Sequence, residues 1–170
     1  AAVKQAAAWG HKAIAITDHA VMYGVIDFYK ECKKEGIRPI IGCEVYVAPR
    51  SRFDKEHGVD SEYTHLILLC KNETGYKNLC YLVSMAFTEG FYNKPRIDWE
   101  LLHEYAEGLI CLSGCVAGAI PRMINAGNYE GAKKKALELS ELFGKDGFYL
   151  EIQDHGLEAE KRAAEGLLRI

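Results

Sequence analysis

The sequence predicts an α/β fold built on a parallel sheet or barrel. Short apolar runs alternate along the chain with longer stretches whose apolar residues recur at helical spacing, the pattern of strand–helix units. Polar residues able to bind metals directly follow three of the apolar runs. In α/β proteins, the carboxyl ends of strands are the positions at which ligands and metals are held.

The first half of the chain predicts three helices and three strands in alternation. The helices are expected over residues 1–9, 22–35 and 73–90, and the first two end at Gly10 and Gly36. The strands are expected over residues 12–17, 38–47 and 63–71. Residues 48–62 are polar and charged, which predicts a long loop between the second and third strands.

The second half continues the alternation with shorter elements. Residues 91–96 are predicted to form a loop, after which Asp98 caps a short helix. The expected strands cover residues 108–113 and 147–153. The expected helices cover residues 99–106, 116–126 and 128–143, and a last one begins near Leu157.

Composition indicates one globular domain with a substantial core. The chain has 170 residues, of which 49% are hydrophobic and 26% charged, and its net charge is −3. This balance gives no general basic field for nucleic acid, so any contact with DNA has to be local. The six cysteines include no Cys-x-x-Cys pair and suggest reduced thiols in the cytoplasm, and no apolar run is long enough to cross a membrane.

Four residues form a candidate set of metal ligands. His19 follows the first strand, Glu44 lies in the second, and Cys115 follows the strand 108–113. Imidazole, carboxylate and thiolate are ligand types of a transition-metal centre. His65 precedes its apolar run, so it joins the others only if residues 44–47 and 63–69 pair across the loop.

Each candidate also has a purely structural interpretation. His19 fits a hydrogen-bonded turn, Glu44 a salt bridge at a strand end, and Cys115 a small buried side chain. Asp18 could orient His19 or cap the following turn. The pair Asp154-His155 is not expected to bind metal, because adjacent residues on a strand point to opposite faces.

Several stretches together resemble one known family, the polymerase and histidinol phosphatase (PHP) domain. The form they resemble lies at the N-terminus of bacterial replicative polymerases of the DNA polymerase III alpha-subunit type. The resemblance covers essentially the whole chain. The stretches that carry it include Ala15-Ile16-Thr17-Asp18-His19, Pro39-Ile40-Ile41-Gly42-Cys43-Glu44, Thr64-His65-Leu66, Lys94-Pro95-Arg96-Ile97-Asp98 and Leu112-Ser113-Gly114-Cys115.

The resemblance implies a distorted, seven-stranded (β/α) barrel that binds up to three divalent metals, with zinc or manganese as the expected ions. His19, Glu44, His65 and Cys115 match four positions of the family's ligand pattern. The family's opening His-x-His strand and closing Asp-x-His strand have no counterpart here, and the chain begins and ends within predicted helices. We therefore expect residues 1–170 to be a fragment of the domain, with an incomplete barrel and an incomplete site.

The resemblance also implies a role in DNA replication. The expected activity of the parent polymerase at this site is metal-dependent 3′–5′ exonuclease hydrolysis, while its magnesium-dependent nucleotide addition takes place outside this chain. Expected partners are DNA and other replicase subunits. Four loop cations beside the site are candidates for phosphate contact: Arg50, Arg52, Lys94 and Arg96.

Two other functions stay open from the sequence. The domain could be a non-catalytic scaffold that supports the polymerase and binds a separate exonuclease subunit, or it could be a stand-alone phosphatase. The retained ligand residues favour a metal-competent domain over the scaffold. The polymerase-type stretches over residues 71–98 disfavour the phosphatase.

Overall fold

The computed structural model describes residues 1–170 and confirms the α/β class. Strands β1 to β6 are Ala13–Ile16, Arg38–Val47, Thr64–Cys70, Arg96–Ile97, Leu109–Leu112 and Phe148–Tyr149. Helices α1 to α7 are Ala2–Ala8, Val25–Glu35, Glu73–Thr88, Trp99–Glu104, Ala119–Asn125, Tyr129–Phe143 and Glu158–Leu167. None of these helices is both long and apolar enough to cross a lipid bilayer.

The six strands form one open sheet in the order β1-β2-β3-β5-β6, and β4 pairs separately with β2. Tyr46 of β2 pairs with both β3 and β4, so those two strands lie on opposite edges of β2. Glu44 likewise pairs with β3 on one side and with His19 on the other. The end of β1 and the short strand β4 therefore share one edge of β2. An open sheet of this kind is consistent with an incomplete barrel.

The sheet is mixed, whereas the sequence predicted a parallel one. The pairs β1–β2, β2–β4 and β5–β6 are parallel, but β3 is antiparallel to both β2 and β5. Parallel neighbours need a crossover connection, usually a helix. Residues 48–62 contain no helix, so the chain returns directly beside β2 as a wide hairpin.

Most predicted boundaries lie within a few residues of the observed ones, with three clear differences. Helix α2 begins at Val25, later than predicted, because the chain turns through residues 20–24 after β1. The predicted strand 147–153 shrinks to β6, which pairs with β5 over only two residues. Arg96 of strand β4 was predicted to lie in the loop 91–96, because a strand of two residues is too short to show a period.

The hydrophobic core lies on one face of the central strands. Val45 and Val47 of β2 and Leu66 and Leu68 of β3 point into it and are buried against helices α3 to α7. Successive residues of a strand point to opposite faces. Glu44, Tyr46 and His65 therefore share the other face of the sheet, where the candidate site is found.

Candidate metal centre

His19 is held beside Glu44 by a continuation of the β1–β2 ladder. The register pairs Ala13 with Arg38, and residues 25 positions apart still pair where His19 lies opposite Glu44. The amide of Glu44 donates to the carbonyl of Asp18 at 3.0 Å, and the amide of Ala20 donates to the carbonyl of Glu44 at 2.8 Å. This places His19 Nδ1 2.7 Å from Glu44 Oε1.

His65 reaches the same carboxylate from the opposite strand. Residues 42–47 pair with residues 64–69, which meets the condition under which His65 joins the site, and His65 lies opposite Tyr46, diagonal to Glu44 on the same face. Its Nδ1 is 2.9 Å from Glu44 Oε1. One carboxylate oxygen thus contacts two imidazoles, one delivered by each edge of β2.

Cys115 arrives at this point through a tight turn after β5. Gly114 has φ +76°, a backbone conformation that residues other than glycine rarely adopt. The turn is joined to β3 by the amide of His65, which donates to the carbonyl of Ala117 at 3.2 Å. The Sγ of Cys115 lies 3.7 Å from His65 Nδ1. One ligand atom from each of Glu44, His65 and Cys115 lies within 4.8 Å of the others. The structure therefore brings three of the four predicted ligand residues within reach of one ion, and the fourth, His19, joins them through its contact with Glu44.

The electrostatics of the cluster favour an anionic carboxylate. Burial of the Glu44 carboxyl raises its pKa, but hydrogen bonds from His65 and His19 outweigh burial and lower the pKa below its ordinary value. The side chains of Glu44 and His65 are 11% and 17% exposed, whereas that of His19 is 71% exposed. The cluster is thus closed by protein on the His65 side and open to solvent at His19.

The donor set fits a divalent transition metal. It offers a carboxylate oxygen, two imidazoles and a sulfur, which suit zinc and, except for the sulfur, also manganese. The fully buried cysteines differ from Cys115. Burial raises the pKa of Cys43 to about 12, and its Sγ contacts the carbonyl of Asp18 at 3.3 Å. Cys115 is only partly buried and faces an imidazole.

Asp18 and His155 are not part of the cluster. Asp18 is exposed, and its carboxylate forms no hydrogen bond with His19 or with the following turn. The group that contacts the His19 ring is Glu44, and the Asp18 carboxylate makes neither of the two contacts considered for it, with His19 or with the following turn. His155 lies with Nδ1 2.8 Å from Glu160 Oε1, at the start of α7.

The four predicted phosphate-binding cations do not form one patch. Arg96 is completely buried and donates to the carbonyls of Asp60, Gly90 and Asp54, so its expected contact with phosphate is wrong. Arg52 is also unavailable to phosphate, because its side chain is only 11% exposed and forms ion pairs with the carboxylates of Glu89, Asp98 and Glu100. Arg50 is occupied by Asp60 and Glu56. Lys94 is exposed.

Sequence reasoning missed an aromatic cluster around His65. The ring centroids of Tyr46 and Tyr63 lie 5.0 and 5.8 Å from that of His65, and the Tyr63 and His65 rings are within 4° of parallel. Strand alternation could have revealed it, because positions 44 and 46, like 63 and 65, share a face. The two tyrosines restrict the orientation of the His65 imidazole.

Comparison with known proteins identifies the family. The profile described as PHP domain matches residues 1–155. The chain is 51% identical over 169 residues to DNA polymerase III subunit alpha of Treponema pallidum (strain Nichols), a match that covers 99% of the chain and 14% of that relative. It is 52% identical over 159 residues to the protein of the same name from Chlamydia pneumoniae, which covers 91% of the chain and 12% of the relative.

A third relative, DNA polymerase III subunit alpha of Thermus aquaticus, is 48% identical over 157 residues, covering 91% of the chain and 13% of the relative. The chain spans 12 to 15% of the length of the curated relatives it matches. The resemblance seen in the sequence is therefore supported across nearly the whole chain by a family profile and by relatives about half identical to it. The chain belongs to the PHP domain family.

Proposed function

We propose that this chain is the N-terminal PHP domain of a DNA polymerase III alpha subunit, whose metal centre hydrolyses phosphodiester bonds as a 3′–5′ exonuclease. The observation that carries the proposal is the oxygen of Glu44 that contacts both His19 and His65, with the sulfur of Cys115 beside them. The names of the relatives support the polymerase context. On this proposal the remaining ligands come from other parts of the full-length protein, and residues 1–170 are one part of the domain.

Each residue has a distinct part in the proposed reaction. His19, Glu44, His65 and Cys115 would hold the metal, which supplies an activated water and neutralises charge on the phosphate. Buried Glu44 keeps both imidazoles in place through hydrogen bonds. On this proposal, a DNA end would approach from the side of the exposed His19 ring.

Metal choice and cellular context follow from the same proposal. Cys115 favours zinc because thiolate is a soft ligand, and manganese is the second candidate. The magnesium-dependent polymerase site lies elsewhere in the full-length protein. The partners of the full-length protein would be DNA and the other replicase subunits, and the protein would be located in the cytoplasm.

The experiment uses the full-length alpha subunit that contains this domain. His19→Ala and Glu44→Ala should each lower manganese- or zinc-dependent degradation of a 3′ end by about 100-fold or more, because each removes a ligand. Nucleotide addition should remain measurable in both variants. His155→Ala is a matched control, since His155 contacts Glu160 at 2.8 Å and is 70% exposed, much like His19 beside Glu44.

Undiminished exonuclease activity in both variants would show that this centre does not perform the hydrolysis. An unmodified subunit that binds no metal and degrades no DNA would favour the scaffold function instead.

A further inference from the structure

Lys94 is presented by a short turn next to the candidate metal centre. Asn93 has φ +59°, and the amide of Tyr92 donates to the carbonyl of Lys94 at 3.0 Å. Residues 95–98, which follow, are buried, while Lys94 itself is exposed. The turn therefore fixes the backbone of Lys94 and leaves its side chain accessible to solvent.

The β2–β4 pairing brings the turn that carries Lys94 to the edge of β2 beside the candidate ligands. Tyr46 pairs with Arg96 in parallel, and Lys94 precedes this pair by two residues, in the turn that leads into β4. His19 lies on the same edge of β2. The Nζ of Lys94 is 5.9 Å from the centroid of the Tyr46 ring, which is itself 5.0 Å from the ring of His65. The ammonium group is thus on the site face of the sheet.

Lys94 differs from the neighbouring cations in having no carboxylate partner. Its Nζ has no carboxylate oxygen within 4.0 Å, whereas each nearby arginine is occupied: Arg50 by Asp60, Arg52 by Asp98, Arg122 by Glu62 and Arg96 by backbone carbonyls. An arginine already paired with carboxylates has little attraction left for a phosphate. Among these cations, Lys94 is the one that is exposed and whose charged group has no hydrogen-bonded partner.

We propose that Lys94 binds a backbone phosphate of the DNA strand whose end lies at the metal centre. The inference rests on the proposed function and adds how the substrate is held. A lysine ammonium binds phosphate as a compact point charge, and contact with the Tyr46 ring keeps it in place without cancelling its charge. The exposed side chains of His19 and Lys94 then define the path of the DNA strand across the edge of β2.

The first test is lysine footprinting on the full-length subunit. Acetylation of Lys94 is measured by mass spectrometry with and without a short oligothymidylate that carries a hydrolysis-resistant phosphorothioate at its 3′ end. The oligonucleotide should protect Lys94 by about tenfold, and high salt should remove the protection. Lys133, an exposed lysine of α6 without an ion pair, should be acetylated equally in both samples.

Equal acetylation of Lys94 with and without the oligonucleotide overturns the inference, as does protection by inorganic phosphate but not by the strand. Because footprinting needs no turnover, protection of Lys94 in a subunit without exonuclease activity would reject the proposed function and keep the binding site.

The second test separates binding from hydrolysis. Lys94→Gln should raise the KM for a single-stranded oligonucleotide by about tenfold and leave kcat within about twofold, because the lost contact is made equally in ground and transition states. The salt dependence of binding should weaken by about one counterion. Lys133→Gln should change neither value. An unchanged KM in the Lys94 variant, with an active parent, overturns the inference.

Discussion

At the scale of single residues, Glu44 organises the candidate site. Its Oε1 lies 2.7 Å from His19 Nδ1 and 2.9 Å from His65 Nδ1, and the carboxylate is mostly buried. A buried carboxylate with hydrogen-bond donors on both sides has few alternative orientations. The two imidazoles are thus prearranged by protein contacts alone, which lowers the cost of ordering them around an ion.

Cys115 allows the ligand interpretation to be tested against the core interpretation. In the full-length subunit, Cys115→Ala should lose much of the bound metal and exonuclease activity, because it removes the sulfur beside His65. Cys115→His should retain both, since imidazole also binds these metals. Bound metal and thermal stability are measured side by side for the two variants.

Cys111→Ala is the matched control, because Cys111 is fully buried in the core and should cost stability without loss of metal. If Cys115→Ala holds metal normally and Cys115→His is destabilised by about 1–3 kcal/mol, Cys115 is a packing residue.

At the scale of elements, β2 connects the parts of the site because it pairs along both of its edges. One edge pairs with β1 over Arg38 to Ile41 and with His19 at Glu44, and the other edge pairs with β3 from Gly42 to Val47. The pairing with β3 begins at Gly42, where a Cβ atom would lie 2.6 Å from the carbonyl oxygen of Leu68. Only glycine lets β2 approach β3 this closely, two residues before Glu44.

Gly42→Ala should therefore disturb both stability and the site. Because the obstacle is backbone, β2 and β3 must move apart, which we expect to lower the free energy of unfolding by about 1–3 kcal/mol and to weaken metal binding. Urea unfolding and metal content measure the two effects. Ile41→Val, one residue earlier in the same strand, should cost about 1 kcal/mol without loss of metal. Wild-type values for Gly42→Ala would show that the strands tolerate a methyl group here.

The same elements show which features the sequence could predict. The bounds predicted for β2 match Arg38–Val47, because Gly36 and a long polar stretch delimit the apolar run on both sides. The antiparallel direction of β3 depends on pairing across residues 48–62 and leaves no local pattern. The contacts that Arg52 and Arg96 make were equally hidden. All of their hydrogen-bond partners except Gly90 lie 36 to 48 residues away in the sequence and meet these arginines only in the fold.

At the scale of the whole molecule, Arg96 ties the long loop to the rest of the domain. Its guanidinium is buried and donates to the carbonyls of Asp54 and Asp60 in the loop and of Gly90 after α3. Asp60 in turn accepts from Arg50, and this hydrogen bond, opposed by burial, lowers the pKa of Asp60 to about 2. Residues 48–62 are therefore an ordered loop that hydrogen bonds hold against the rest of the domain.

Arg96→Met should loosen the loop of residues 48–62. The substitution leaves several buried carbonyls without donors, so we expect a loss of about 3–5 kcal/mol in the free energy of unfolding. Limited proteolysis should then cut within residues 48–62 at concentrations of protease that spare the wild type. Arg38→Met is the control, because Arg38 is exposed and forms no ion pair. Resistance of the Arg96 variant equal to wild type would mean that other contacts hold the loop.

The chain order of the ligand residues also bears on how the domain folds. The contact between His19 and Glu44 spans 25 residues and that between Cys115 and His65 spans 50, whereas Glu44 and His65 meet within the β2–β3 hairpin. Contacts between distant residues cost more loop-closure entropy, so we expect His19 and Cys115 to join the cluster after this hairpin has formed. On the proposed function, a nascent chain would lack this ligand cluster until Cys115 and its turn have left the ribosome and joined the sheet, and metal ions would bind it only in a largely folded domain.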